Sequence, residues 1–355
     1  MNTNLSAVTV QRFSALQGEL ITLVEQDYTG LTPKLEQIIR AFEFTHIELA
    51  VYRDRGYAQG RGVGQPETDR CSLACAFLAK AVLDLKTTRA LIDRLQADSK
   101  LRRLCGFDLR FVLPSESTFS RAFEEFAASE LIQRVHARMI KETLGDQLIG
   151  HISRDSTAIE ARESIAKKDK AEVAPVKPKH KPGCPKKGEV RAPQSPSPLE
   201  RQRGQTLEQM LFELDTACNT GTKKNSQGYK ISWKGYKLHL DTACCGVPIS
   251  AVLTGANVHD SRVALPLTRI SAQRVDACYE LMDAAYCSTV IREEIQARGR
   301  VPLIDHNPRK GEKQEFAPHE AQRYKTRSAA ERCNARLKDE FGARHVAADR
   351  KLSHK

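Results

Sequence analysis

The 355-residue sequence contains no uninterrupted apolar stretch of the roughly 18 residues that a membrane-spanning helix needs. The longest candidate, Cys71 to Leu85, is broken by Lys80. The opening MNTNLSAVTVQRF lacks a basic segment followed by an apolar run and a small-residue cleavage site, so export is not indicated and the chain is expected to be cytoplasmic. Cys71, Cys75, Cys105, Cys184, Cys218, Cys244, Cys245, Cys278, Cys287 and Cys333 include no CxxC pair, and a disulfide framework does not suit a chain this long. Free, mostly buried thiols are the expected state. Cys71 and Cys75 lie one helical turn apart in SLACAFLAKAVL, where small apolar side chains pack rather than hold a metal.

The length allows about two domains of roughly 150 residues, and 40% hydrophobic with 28% charged residues is a globular composition. Lys plus Arg total 56 against 44 Asp plus Glu, a net charge of +12 that points to a polyanionic partner. The excess is concentrated. Ser164 to Gly204 holds eleven Lys/Arg and four Asp/Glu, together with seven of the 15 prolines. With few large apolar residues, this segment is read as a flexible basic Pro-rich insert, 164–204. Its KPKHKPGCPKKGE stretch has the look of a minor-groove hook without the arginine such hooks use, and a solvated loop with phosphate affinity fits it as well.

From Val8 to about Gly150 apolar residues recur at helical spacing, in Leu31 to Phe44, Leu73 to Leu85, Thr88 to Leu104 and Ser117 to Thr143. Residues 1–146 are therefore read as an all-helical N-terminal domain, with DNA binding its expected role. Within it, SESTFSRAFEEF begins with a capping serine, Ser115 or Ser117, and exposes Ser120 and Arg121; a DNA-reading helix and an ordinary amphipathic helix both fit. Past Leu148 the pattern changes to strands. Segments starting at Leu148, Gly235 and Val247 form a meander, with TLEQMLFELD a short helical patch beside the insert. Strands around YELMDAAY and RVPLIDHNPR then alternate with helices at Asp260 to Arg274 and Ser288 to Gly299, before a long final helix. Three neighbouring strands followed by alternating strands and helices is the order of a ribonuclease H-like α/β domain, a mixed sheet flanked by helices, assigned to 147–355.

In that layout Asp155 sits in the first strand and Asp283 at the end of the fourth, two neighbouring elements, with Glu331 on the final helix. Three carboxylates from remote segments are what a hard divalent cation such as Mg²⁺ needs, because it prefers oxygen ligands. Two such ions would serve an in-line displacement at phosphorus. In YKTRSAAERCNARLK, at about 100° per residue, Tyr324, Arg327, Glu331 and Lys338 fall within about 60° of one another. The stripe joins a carboxylate, two cations and a phenol, a set suited to gripping a phosphate backbone; an exposed charged helix face reads the same way.

These residues resemble bacterial insertion-sequence transposases of the DDE type, in the retroviral-integrase-like superfamily. The signature Y-x2-R-x3-E-x6-K is matched by Tyr324, Arg327, Glu331 and Lys338. RDSTAI is similar to the first-aspartate strand, ELMDAAY to the second, and LTGANVHDS to a recurrent stretch containing His259 and Asp260. The helical region from about Cys71 to Phe126 is similar to the N-terminal domain of one branch of these enzymes. The resemblance implies Asp155, Asp283 and Glu331 as a metal-binding catalytic triad for Mg²⁺, with Mn²⁺ as a substitute. It implies Tyr324, Arg327 and Lys338 as contacts to transposon-end DNA. The partners implied are double-stranded DNA, both terminal inverted repeats and target, and a second copy on paired ends. Asp305 is expected in a turn, Asp260 as a helix cap and His259 in a supporting role. The sequence stops 24 residues past Glu331 with a polar tail where family members continue, so a truncated, inactive relic or a DNA-binding regulator stands as the alternative to an active enzyme.

Overall fold

The computed structural model describes residues 31–55, 68–165, 196–224, 227–308 and 312–346. The chain forms two compact units, one reaching Thr143 and including Leu337–Gly342, the other made of Leu144–Arg336 and the residues from Ala343 onward.

The first unit is helical. Its elements are α1 (Pro33–Thr45), α2 (Ile47–Arg55), α3 (Arg70–Val82), α4 (Thr88–Ala97), α5 (Ser99–Leu104), α6 (Glu116–Ala128) and α7 (Leu131–Leu144). Polar caps set the helix starts: Thr32 accepts from the Leu35 amide, and Asp69 accepts from the amides of Cys71 and Ser72. Apolar residues at helical spacing close the core, with Ile38, Leu73, Leu91, Leu95, Leu101 and Phe119 fully buried. Phe77 meets Phe119 and Phe126 edge-on, at 5.8 and 6.4 Å between ring centres.

Two helices expected to be continuous are broken. Asp98 is extended, and its carboxylate caps the Leu101 amide, which starts α5 afresh. Ser129 and Glu130 separate α6 from α7, with Glu130 at φ +50°. Ser115 takes the position before α6 but makes no cap; its hydroxyl bonds those of Ser117 and Thr118 instead.

The second unit is built on one sheet. Its strands are β1 (Leu148–Ala161), β2 (Asn219–Lys224), β3 (Lys230–Ala243), β4 (Pro248–Gly255), β5 (Asp276–Met282), β6 (Val301–Ile304) and β7 (His345–Val346). β1 pairs antiparallel with β3, β3 antiparallel with β4, and β1, β5 and β6 run parallel. The order β4-β3-β1-β5-β6 is ribonuclease H-like, with β2 and β7 as additions. The meander turn lies at Gly246, whose φ of +85° is open to glycine without strain. Connecting helices are α8 (Pro198–Arg203), α9 (Leu207–Phe212), α10 (Ser261–Ala272) and α11 (Thr289–Gln296), followed by α12 (Pro318–Tyr324) and α13 (Ser328–Glu340).

The expected insert is shorter at its C-terminal end than its composition suggests. Residues 166–195 lie outside the described residues, but α8 is a capped helix, with Ser197 and Glu200 satisfying each other's amides. Gln202 is fully buried and donates to the Arg262 carbonyl, while Leu199 packs on the core around Leu265 and Ile291. Leu199, Gln202 and Arg203, the last paired with Glu293 at 2.8 Å, thus tie this end of a basic, proline-rich segment to the rest of the unit.

Beneath one face of the sheet sits a buried ionic network. Arg154, fully buried, donates two bonds to Asp241 at 2.7 and 2.8 Å and a third to Glu280 at 3.2 Å. Its guanidinium also reaches Thr268 and the Ala264 carbonyl on α10. Arg300 holds the other Glu280 oxygen at 2.9 Å, and Ser271 donates to Asp241. Burial works against the Arg154 charge, but Asp241 and Glu280 outweigh it and keep the guanidinium protonated. Replacing Arg154 by Met is expected to leave Asp241 buried without its counter-ion and to destabilise the unit by about 3–5 kcal/mol, read as a fall in the urea midpoint.

Candidate active site

Parallel pairing of β1 with β5 sets Leu148 beside Asp276 and Ser153 beside Leu281. Two residues on from that last pair, the same register brings Asp155 level with Asp283. Alternation along β1 turns Arg154 to the α10 face and Asp155 to the opposite one. Asp283 ends the strand and starts a short 3-10 turn, Ala284–Tyr286, its carboxylate accepting from the Ala285 amide at 3.0 Å. Asp155, midway along β1, is thus set level with the residue that follows the C-terminal end of β5.

Asp155 is half-enclosed. One of its oxygens accepts from Asn334 Nδ2 at 3.0 Å, and the other faces Arg327 Nη1 at 3.9 Å. Burial pushes its carboxyl up to about 6; Arg327 pulls the other way, while Asp283 and Asp260 add repulsion. The Asp283 carboxyl is also raised, chiefly by burial, with Asp260 and Asp305 contributing. Both groups therefore carry a charge that the protein only partly compensates.

Glu331 enters through the same arginine. Arg327 Nη2 lies 2.5 Å from Glu331 Oε1, so one guanidinium spans the gap between the α13 carboxylate and Asp155. Among the described residues no three His, Cys, Asp or Glu side chains stand together as a ready-made metal site. Strand register sets Asp155 level with Asp283, and Arg327 links Asp155 to Glu331. Lys338 occupies the same helix seven residues later, in the stretch that groups with the helical unit.

The expected single helical stripe is interrupted. Tyr324 ends α12, Lys325–Arg327 is a 3-10 turn, and Glu331 and Lys338 belong to α13. Thr326 accounts for the break, its hydroxyl donating to the Arg323 carbonyl at 2.5 Å in competition with the helical ladder. Tyr324 is an anchor here: its hydroxyl donates to the Met282 carbonyl, just before Asp283, and its ring packs on Phe316 at 4.8 Å. Burial raises that phenol to about 12.

Asp260 is a correction. It stands at the start of α10 but makes no side-chain cap; Lys237 Nζ holds it at 3.0 Å, and His239 Nδ1 faces it at 3.6 Å. Burial lowers His239 to about 4, so that imidazole is neutral near pH 7. His259 bonds Ser261, and Asp305 pairs with Lys313 at 3.0 Å. Asn334, Lys237 and His239 were not singled out from the sequence. Asn334 had a signal, since it lies three residues from Glu331 on one helix face; the two β3 residues had none short of the strand register.

Two family models match the chain: a transposase DDE domain over residues 190–352, and the transposase domain DUF772 over residues 25–125. Together they span most of it. Residues 190–352 belong to the transposase DDE domain family. No curated protein and no solved structure matches it. The DDE-domain match of this transposase contains Asp283, Glu331 and the whole Tyr324-to-Lys338 segment, and it begins after Asp155. Its substrate is accordingly DNA, and no helix among the described residues is long and apolar enough to cross a membrane.

The raised Asp155 carboxyl has a stability consequence whose sign follows from proton binding. Between its ordinary value of 3.8 and about 6, the folded chain holds a proton that the unfolded chain releases. Stability is thus lost as pH rises through that window. In EDTA, Asp155→Asn is expected to exceed the natural chain by on the order of 2–3 kcal/mol at about pH 8, with the gap closing below about pH 4. Thermal melts across pH check this; a gap independent of pH refutes it.

Proposed function

We propose that this transposase binds the terminal inverted repeats of its own element, cleaves phosphodiester bonds at the element ends and joins the freed 3′-hydroxyls to target DNA. The observation that carries the reading is the strand register that sets Asp155 level with Asp283, two half-buried carboxylates, with the Arg327 guanidinium bridging Asp155 and Glu331.

The donor set fits a hard divalent cation. Asp155 and Asp283 offer oxygen only, and burial raises the proton affinity of both, with nearby carboxylates adding to it. With Glu331 they are the residues that would hold Mg²⁺ or Mn²⁺. A bound cation pair supplies charge neutralisation for in-line displacement at phosphorus. The chain's own residues do the rest. Asn334 fixes the orientation of Asp155, and Arg327, shared by two carboxylates, keeps a cation within reach of a phosphate oxygen. Tyr324 pins the segment to the end of β5, so Arg327 and Glu331 are held against the strand that carries Asp283. Lys338 adds a second cation for end DNA.

The helical unit is assigned to recognition of the ends, with Ser120 and Arg121 exposed on α6 for that purpose. Two copies act on paired ends, and the enzyme works on nucleoid DNA in the cytoplasm.

The test is a cleavage and strand-transfer assay on labelled element ends with Mg²⁺ or Mn²⁺. Asp155→Ala, Asp283→Ala and Glu331→Ala are each expected to lower product by about 10²–10³-fold or more, the scale of losing a preorganised charge at a transition state, while DNA binding persists. Omitting the metal is expected to abolish product in the natural chain. Equal product from all four proteins would remove the catalytic assignment.

A further inference from the structure

The hairpin of β2 and β3 reaches beyond the sheet. β1 pairs with β3 only from Gly235 onward, and β4 only from Tyr236 onward. Residues Lys230 to Lys234 have β2 as their sole strand partner among the described residues, opposite Thr220 to Lys224. Gly235 is the point of departure, at φ +147°, with the Ile159 carbonyl only 2.2 Å from where a Cβ would stand. An isolated two-stranded ribbon is marginally stable in water, so one with no further strand partner among the described residues gains from an external partner.

Opposed residues of an antiparallel pair share a face. One face of the ribbon holds Trp233 over Gly221, with Ile231 opposite Lys223. The other holds Lys234 opposite Thr220, Ser232 opposite Thr222, and Lys230, all exposed. From Thr216 to Leu240 the sequence has five lysines and no acidic residue. This second face is cationic and hydroxyl-bearing, without an aromatic to stack on a base. Such a surface complements a phosphate backbone.

Its position suits the chemistry. Leu240 stands opposite Asp155, and β3 runs antiparallel to β1, so the ribbon leaves the sheet past the C-terminal end of β1, beyond Asp155 in the direction in which β5 ends before Asp283. Lys234 and Lys230 precede Leu240 by about 20 and 33 Å of strand at roughly 3.3 Å per residue, a span of about six to ten base pairs.

We infer that the lysine-hydroxyl face of the β2–β3 ribbon, Thr220, Thr222, Lys230, Ser232 and Lys234, is a clamp for the phosphate backbone of duplex DNA flanking the scissile bond. The inference rests on the transposase reading. A competing role for such lysines is protection of bare strand edges against aggregation.

The experiment measures duplex binding by the full chain against salt concentration, on an element-end duplex and on an unrelated one. In Lys230→Gln/Lys234→Gln the slope of log K against log salt is expected to fall by about 1.8, which is 0.9 for each phosphate no longer neutralised. The fall should be equal on both duplexes, and Lys230→Arg/Lys234→Arg should restore the slope. An unchanged slope, whether or not the Gln variant aggregates, overturns the clamp and leaves the transposase reading standing. Failure of the natural chain to bind either duplex overturns both.

Discussion

The parallel register between β1 and β5 is the constraint on which the rest depends. A pleated strand sends neighbouring side chains to opposite faces, so Arg154 and Asp155, adjacent in sequence, serve opposite ends. Arg154 is satisfied inside the protein by Asp241 and Glu280, and that network locks β1 to β3, β5 and α10. Asp155 emerges on the other side, level with Asp283. A slip of one residue would exchange the two faces, burying the acid and exposing the arginine. The ionic network therefore selects the register in which two carboxylates stand level.

The electrostatics of the two faces differ in kind. Around Arg154 every charge has a close partner and is buried. Around Asp155 the nearest cation is 3.9 Å away and is shared with Glu331. Burial raises the proton affinity of Asp155 and Asp283, neighbouring carboxylates add to it, and this is the state a divalent cation or a proton relieves. Local stability has been given up at that rim while the other face of the sheet supplies rigidity.

How much was legible varies with the range of the interaction. Amphipathic periods marked the helices of the first unit and the strand pattern of the second, and the ribonuclease H-like order followed from them. Breaks at Asp98, Ser129 and Lys325 escaped a periodicity argument, because each arises from one polar side chain or one left-handed residue that competes with the helical ladder. Composition misled near Pro198, where a capping box and one buried glutamine outweighed a basic, proline-rich context. Asp260 has the sequence position of a cap because it precedes a helix, whereas Lys237 and His239, some twenty residues earlier, take its carboxylate.

By itself the sequence determined the fold class, the family resemblance and the identity of the acidic candidates, since these rest on periodicity and on residues at set spacings along the chain. Tertiary structure alone decided that Asp155 and Asp283 stand level, that Arg327 links Asp155 to Glu331, and that a lysine-bearing ribbon leaves the sheet past the C-terminal end of β1. Those features depend on strand register and on where pairing stops. Both are properties of contacts between segments far apart in the chain, which no local pattern encodes.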